Sequence, residues 1–191
     1  PWGQSGEDSV FKDYYEYSRS NLVECISRLP RRVRVLEAGC GLGYVTDMLA
    51  RESGAACVEG TDISAEAISK ARKMFPDLRF HVADMQATDC GLSDHYDVVI
   101  YNQLIWYVLE KFEQAIENAL SLLDDGDFFV ISNTYFPDQK YGKDIVDGFD
   151  GLVRFILEHF FGRLTVLEAR YDASDRFIRH DGLLVLGVVK P

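Results

Sequence analysis

The sequence has few basic residues and lacks the long apolar runs of membrane proteins. Its 191 residues include 20 lysines and arginines against 31 aspartates and glutamates, giving a formal net charge of −11 at pH 7. A nucleic-acid binder needs a basic surface to neutralise phosphates, so this balance argues against DNA or RNA as a partner. No apolar run reaches the roughly 20 residues of a membrane-spanning helix, so we expect no membrane association.

Cysteines and potential metal ligands are also sparse. The four cysteines, Cys25, Cys40, Cys57 and Cys90, are spaced neither as disulfide pairs nor as metal ligands. We expect no metal site, because no cluster of His, Asp and Glu has ligand spacing. The first residues are polar and acidic, without the basic and then apolar lead of a signal peptide. These absences predict a protein of the reducing cytoplasm.

The sequence does contain a glycine-rich loop between a strand pattern and a helix pattern. Residues 33–37 favour a strand, residues 39–43 read Gly-Cys-Gly-Leu-Gly, and residues 43–52 have apolar residues at helical spacing. Glycines permit sharp turns and let the backbone approach a ligand, while the helix N-terminus offers free N–H groups. The stretch therefore predicts a nucleotide-binding corner.

Three acidic residues follow successive strand patterns. Glu37 precedes the glycine loop, and Asp62 and Asp84 close the next two apolar runs. If these runs are parallel strands, all three carboxylates lie at the carboxyl edge of one sheet, where open α/β sheets bind ligands. Three carboxylates suit a cation that carries hydroxyls and an amino group. They suit a pyrophosphate poorly, because like charges repel in a low-dielectric cleft.

These stretches resemble the signature motifs of the class I S-adenosylmethionine-dependent methyltransferases of the small-molecule type. Four of them occur in the family's order, at residues 37–43, 62–64, 83–85 and 96–102. The rival dinucleotide fingerprint needs a small residue where this sequence has Tyr44. The resemblance implies S-adenosylmethionine as cofactor and O- or N-methylation of a small-molecule acceptor. A non-catalytic S-adenosylmethionine-binding protein and an NAD-dependent oxidoreductase remain alternatives.

The order of patterns predicts one α/β domain over residues 1–191, with a Rossmann-like, doubly wound sheet and helices on both faces. A helix is predicted over residues 9–29, and the core spans residues 33–191. The resemblance implies that residues 1–30 form a lid over the cofactor and substrate; a helix packed on the sheet is the alternative. Strands are predicted at 164–171 and 183–189. The resemblance implies a seven-stranded sheet of order 3-2-1-4-5-7-6 with an antiparallel last strand.

The resemblance also implies a cofactor site. In it, Glu37 and the loop hold the methionine end, Asp62 binds both ribose hydroxyls, and Asp84 accepts the adenine amino group. The alternative for Asp62 and Asp84 is a role as helix N-caps at strand ends. The other expected cofactor residues are Gly39, Cys40, Gly41 and Gly43 in the loop, Ile63 and Met85 beside adenine, Asn102 near the sulfonium, and Tyr14 in the lid.

Candidate catalytic residues come from two further stretches. Gln103 and Tyr107 follow the fourth strand pattern, in an aromatic segment suited to an apolar or cationic acceptor or to core packing. His180 belongs to the connection between the last two strands. If that connection lies at the carboxyl edge, His180 is a candidate general base, with Arg176 and Arg179 near it. A solvated hairpin is the alternative.

Overall fold

The computed structural model describes residues 12–174 and 180–190, and the strands found there form one mixed sheet. The strands are β1 Arg34–Ala38, β2 Cys57–Asp62, β3 Arg79–Val82, β4 Val98–Asn102, β5 Phe128–Tyr135, β6 Leu164–Asp172 and β7 His180–Val188. Their order is β3-β2-β1-β4-β5-β7-β6. β7 runs antiparallel to both β5 and β6, whereas the other pairs are parallel. The predicted order and antiparallel last strand are confirmed.

Helices cover both faces of this sheet. They are α1 Lys12–Ser27, α2 Tyr44–Glu52, α3 Ala65–Met74, α4 Ile105–Val108, α5 Phe112–Ser121 and α6 Gly148–His159, with a 3-10 turn at Leu109–Lys111. On one face, Leu22 of α1 and Leu49 of α2 pack with strand residues such as Val35. On the other, Ile116 of α5 and Ile156 of α6 join the second core. Burial on both faces explains why the central strands are almost continuously apolar.

Two strands are longer than the sequence pattern predicts. β5 continues from Phe128 to Tyr135, past the apolar run that ends at Ile131, and β7 begins at His180 instead of residue 183. The reason is long-range pairing: the two strands stay in register from Phe128 opposite Gly187 to Tyr135 opposite His180. The extra residues carry both strands to the carboxyl edge of the sheet, beside the ends of β1 and β4.

Helix α1 is joined to the β6–β7 hairpin by polar contacts. The pairs are Tyr14 with Asp181 at 3.2 Å, Tyr17 with Asp172 at 2.8 Å, Asn21 with Asp181 at 3.1 Å, and Arg28 with Glu168 at 3.1 Å. The first described element therefore lies against the last two strands. Of the helices in the described ranges, none is both long and apolar enough to cross a bilayer.

Candidate active site

The glycine loop leaves β1 at its carboxyl end and turns directly into α2. Gly39, Gly41 and Gly43 all have positive φ angles, of 75°, 54° and 83°. This left-handed region is strained for residues with a Cβ, so the turn requires glycine. The Gly39 and Cys40 N–H groups donate to the Thr61 carbonyl at 2.7 and 2.9 Å, which fixes the loop against the end of β2.

Close packing beneath the loop also requires glycine. A Cβ on Gly43 would lie 2.7 Å from the Phe80 ring, and one on Gly60 would lie 2.9 Å from the Cys40 sulfur. Burial, followed by the negative charges of Glu37 and Asp62, raises the pKa of the Cys40 thiol. Cys40 therefore packs as a neutral group under the loop.

Asp62 holds the glycine loop and the start of α3. Its Oδ2 accepts from the Gly41 N–H at 2.9 Å, and its Oδ1 accepts from the Ser64 N–H at 2.8 Å. The N-cap of α3 is Ser64, whose hydroxyl accepts from the Ala67 N–H at 3.2 Å. Asp62 is thus not the cap of this helix. A carboxylate has about four acceptor positions, so two stay available for donors of a ligand.

The residues expected around adenine follow β2 and β3. Ile63 is 64% exposed, so its side chain offers an apolar surface next to Asp62. The Asp84 Oδ1 accepts from the Gln86 N–H at 2.8 Å. Met85 is buried in the core. The strand ends are close, since the Ala83 N–H donates to the Asp62 carbonyl at 3.1 Å.

Glu37 is a buried carboxylate at the end of β1, only 2% exposed. Its Oε2 accepts from the Thr46 hydroxyl at 2.6 Å, and its Oε1 accepts from the Asn102 amide at 3.3 Å. Burial raises the pKa of Glu37, while the bonds from Thr46 and Asn102 and the charge of Arg19 act in the opposite direction. Sequence reasoning missed Thr46, whose one signal is a hydroxyl in the first turn of α2.

Gln103, directly after β4, is the one non-glycine residue with a positive φ angle in the described part of the chain, at 54°. Its N–H donates to the Ser132 carbonyl at 2.8 Å, and its Oε1 accepts from the Thr134 N–H at 3.0 Å. Its Nε2 lies 3.5 Å from the Tyr14 hydroxyl. Such a conformation costs about 1–3 kcal/mol and is typical of functional sites.

Tyr14 and Asp181 meet at this edge of the sheet. Burial, followed by the charge of Asp181, raises the pKa of the Tyr14 phenol, so the phenol stays protonated and donates to Asp181. The structure brings Tyr14 of α1 beside Gln103 at the end of β4. Sequence reasoning missed Asp181, because its partner Tyr14 lies 167 residues earlier in the chain.

The two remaining catalytic candidates are more exposed. His180 begins β7, and its Nδ1 lies 2.5 Å from the Tyr171 hydroxyl on β6. Tyr171 in turn stacks on Phe149, with ring centroids 5.2 Å apart. Tyr107 is 63% exposed. Arg176 and Arg179, expected near His180, lie outside the described residues.

Within residues 12–174 and 180–190, no group of three or more His, Cys, Asp and Glu is arranged to hold a metal ion. The acidic groups at the carboxyl edge are instead bonded to backbone N–H groups, hydroxyls and amides. A glycine loop, strand-end carboxylates and a seven-stranded sheet with an antiparallel last strand define the methyltransferase variant of the Rossmann-like fold.

Comparison with known proteins points to the same class of enzyme. A family model described as a methyltransferase domain matches residues 35–126, which contain the glycine loop and all three strand-end acids. Over these residues, a little under half of the chain, the sequence is similar to that methyltransferase family.

Several curated methyltransferases are similar in sequence. The trans-aconitate 2-methyltransferase of Variovorax paradoxus (strain S110) is 29% identical over 134 residues, which is 69% of this chain and 50% of that protein. A dTDP-3-amino-3,4,6-trideoxy-alpha-D-glucopyranose N,N-dimethyltransferase of Streptomyces venezuelae is 24% identical over 176 residues, or 87% of this chain and 73% of that enzyme. The chain spans about half the length of the first of these relatives.

A solved structure shares the whole fold. The N-methyltransferase NodS from Bradyrhizobium japonicum WM9, in complex with S-adenosyl-L-homocysteine, superposes with a TM-score of 0.73 over 100% of this chain and 92% of that chain. The two sequences are 18% identical, so this likeness shows the common fold alone.

Proposed function

We propose that the protein transfers a methyl group from S-adenosylmethionine to a small-molecule acceptor. The observation that carries this proposal is the placement of Glu37, Asp62 and Asp84 at successive strand ends around one glycine loop. Carboxylates accept hydrogen bonds, which suits the hydroxyls and amino groups of the cofactor. The family match supports the same activity.

The residues at the edge fit this cofactor. When bound, S-adenosylmethionine supplies an electrophilic methyl group on a sulfonium. Asp62 keeps two acceptor positions for the ribose hydroxyls, and the exposed Ile63 side chain covers one face of adenine. Asp84 accepts the adenine amino group, with Met85 beside it. The methionine end is held by Glu37, Gly39, Cys40, Gly41, Gly43, Asn102 and Tyr14.

The chain must also hold the acceptor atom in line with the methyl group and the sulfur, and exclude water from the site. Gln103 and Tyr107 flank the acceptor from the end of β4. His180 is the general base for a hydroxyl acceptor. In this role the His180 Nδ1–H donates to the Tyr171 hydroxyl oxygen, which leaves Nε2 as the nitrogen that takes a proton.

We also propose that residues 1–191 act as one domain with an N-terminal lid, and that nucleic acid is not a partner. The net charge of −11 supports the second point. Cytoplasmic localisation is supported by the four cysteines, all of which are free.

Calorimetry with two ligands tests the proposed function. We expect S-adenosylhomocysteine to bind in the micromolar range and NADH to give no heat of binding. Binding of NADH with no response to S-adenosylhomocysteine would contradict the proposal. Turnover is then measured as conversion of S-adenosylmethionine to S-adenosylhomocysteine over a panel of acceptors. Cofactor binding without turnover on any acceptor would favour the non-catalytic alternative.

A further inference from the structure

Asp181 is a buried acidic residue at the start of β7, only 4% exposed. Its two carboxylate oxygens accept from neutral donors, the Tyr14 hydroxyl at 3.2 Å and the Asn21 amide at 3.1 Å. Arg28, which directly follows α1, forms its ion pair with Glu168 at 3.1 Å. Over residues 12–174 and 180–190, no Lys, Arg or His forms an ion pair with Asp181. A buried charge without a counter-ion is costly, which calls for a cation from elsewhere.

An unpaired polar atom on the adjacent strand supports a ligand at this place. Thr134 lies directly opposite Asp181 in the β5–β7 register. Its buried Oγ1 faces the Tyr14 phenol and completes no hydrogen bond with the described residues. The Asn133 Oδ1 and the Tyr135 hydroxyl are also buried without a partner, but these two residues alternate with Thr134 and belong to the other face of the sheet. Native proteins satisfy nearly all buried polar atoms, so the Thr134 oxygen beside Asp181 indicates a missing partner there.

Hydrogen bonds connect Asp181 with the cofactor side of the edge. The Asn102 amide donates to Glu37 at 3.3 Å. The next residue, Gln103, has its Nε2 3.5 Å from the Tyr14 hydroxyl, which donates to Asp181 at 3.2 Å. Two consecutive residues at the end of β4 therefore reach Glu37 directly and Asp181 through Tyr14. Asp181 is on the acceptor side of the site.

We propose that Asp181 binds the nitrogen of the acceptor, so that the substrate is an amine. This inference rests on the proposed methyltransferase function. Asp181 supplies the counter-charge for a cation, and the Thr134 hydroxyl oxygen beside it can accept an N–H group. The same charge repels a carboxylate acceptor.

The chemistry places a positive charge beside Asp181. The bound ammonium first releases a proton to water. The lone pair of the resulting neutral amine forms the new N–C bond as the C–S bond breaks, and the bonding electrons stay on sulfur. The positive charge passes from sulfur to nitrogen, and the surplus N–H proton is released to water. A fixed carboxylate next to that nitrogen stabilises the charge as it develops.

Three acceptors of one size test the substrate class on the wild-type protein: benzylamine, benzyl alcohol and benzoate. We expect conversion of benzylamine above the other two, and tighter binding of benzylamine than of benzyl alcohol to the complex with S-adenosylhomocysteine. Conversion of benzyl alcohol or benzoate without benzylamine overturns the amine inference and leaves the proposed function standing. Equal affinities for benzylamine and benzyl alcohol also overturn it. Failure to bind S-adenosylhomocysteine refutes the proposed function itself.

Asp181→Asn tests the residue, since it removes the charge and keeps the size. We expect both the KM for benzylamine and its Kd in the S-adenosylhomocysteine complex to rise at least tenfold. The Kd of S-adenosylhomocysteine, which also reports an intact fold, should stay within twofold. The matched control, Glu168→Gln, removes the same charge from the same hairpin and should leave all three constants unchanged. Unchanged benzylamine constants in Asp181→Asn overturn the proposal. If that variant does not fold, the wild-type comparison of benzylamine with benzyl alcohol decides.

Discussion

At the scale of single residues, Asp62 has both a structural and a binding role. Asp62→Ala removes the bonds to the Gly41 and Ser64 N–H groups and those expected to the ribose. Hydrogen bonds to charged groups contribute about 1.5–3 kcal/mol each, so we expect at least tenfold weaker binding of S-adenosylhomocysteine by calorimetry.

The control for this variant is Asp47→Ala, which removes a carboxylate paired with Arg51 on the surface of α2. It should leave the affinity unchanged. A wild-type Kd in a folded Asp62→Ala protein would show that Asp62 serves only the loop.

We expect the buried carboxylate of Glu37 to lower the stability of the fold at higher pH and to contribute to cofactor binding. Because burial raises its pKa, the folded state retains a proton that the unfolded state has released. Stability from this group is therefore present at low pH. It is lost as the pH rises from the ordinary glutamate value, about 4, through the raised folded value.

We expect Glu37→Gln to raise the melting temperature at pH 8 but not at about pH 4, and to weaken S-adenosylhomocysteine binding at least tenfold. Melting curves at both pH values and calorimetry measure these effects. A lower melting temperature at pH 8 would mean that the bonds from Thr46 and Asn102 outweigh the burial of the charge.

The importance of His180 depends on the acceptor. A hydroxyl must lose its proton to a base, whereas a neutral amine attacks without one. We expect His180→Ala to lower turnover of a hydroxyl acceptor about a hundredfold, within the usual range for general base catalysis, and that of benzylamine only a few-fold.

Steady-state kinetics with both acceptors, and Tyr171→Phe as control, test this prediction. Equal losses for both acceptors would show that His180 acts through the packing of the hairpin, in which it contacts Tyr171.

At the scale of elements, the cofactor loop depends on how closely α2 and the loop approach β2. A Cβ on Gly60 would lie 2.9 Å from the Cys40 sulfur, the Phe80 ring and the Thr46 hydroxyl. Overpacking of this kind costs about 1–3 kcal/mol, so Gly60→Ala should lower the free energy of unfolding by that amount and weaken cofactor binding. Denaturant unfolding and calorimetry measure both.

Gly54→Ala is the comparison for Gly60→Ala. A Cβ on Gly54 meets nothing within 4 Å, although its φ of 73° adds local strain. Its effect should therefore be confined to stability. If both variants bind S-adenosylhomocysteine like the wild type, packing under the loop does not control the site.

Most elements could be predicted from the sequence, because their patterns are local. The run from Val33 to Glu37 and the glycines after it describe a strand and a turn without reference to other parts of the chain. The end of β5 could not be predicted, because Asn133 and Thr134 resemble a polar loop until β7 pairs with them.

The residues of the site also divide into those that a local pattern predicts and those that depend on long-range contacts. The acids on the cofactor side follow strand ends and were found by position. Asp181 and the strained backbone of Gln103 depend on contacts between distant segments. Their roles are visible only once α1, β4 and β7 meet at the edge.

At the scale of the whole molecule, ligand binding should stabilise the fold. A ligand present at a hundred times its Kd adds about 2.7 kcal/mol to stability. For a chain of this size each kcal/mol raises the melting temperature by about 2–4 °C, so saturating S-adenosylhomocysteine should raise it by roughly 5–11 °C.

NADH at the same concentration serves as the control in a thermal shift measurement and should cause no change. An equal shift with NADH would show that the pocket does not distinguish the two ligands. The absence of a shift with S-adenosylhomocysteine would contradict specific binding to the folded state.

The contacts between α1 and the β6–β7 hairpin have a consequence for synthesis on the ribosome. The hydrogen-bond partners of Tyr14 and Tyr17 are translated 167 and 155 residues later. The parallel strands can begin to pair while the chain is still growing, but α1 has no hairpin to dock on until the last strand has emerged. During synthesis the N-terminal parts of a protein generally fold first. Here the N-terminal helix α1 can dock only after the β6–β7 hairpin has been made. The acceptor side of the site is therefore assembled only after β7 has been synthesised, so a chain truncated before β7 would lack it.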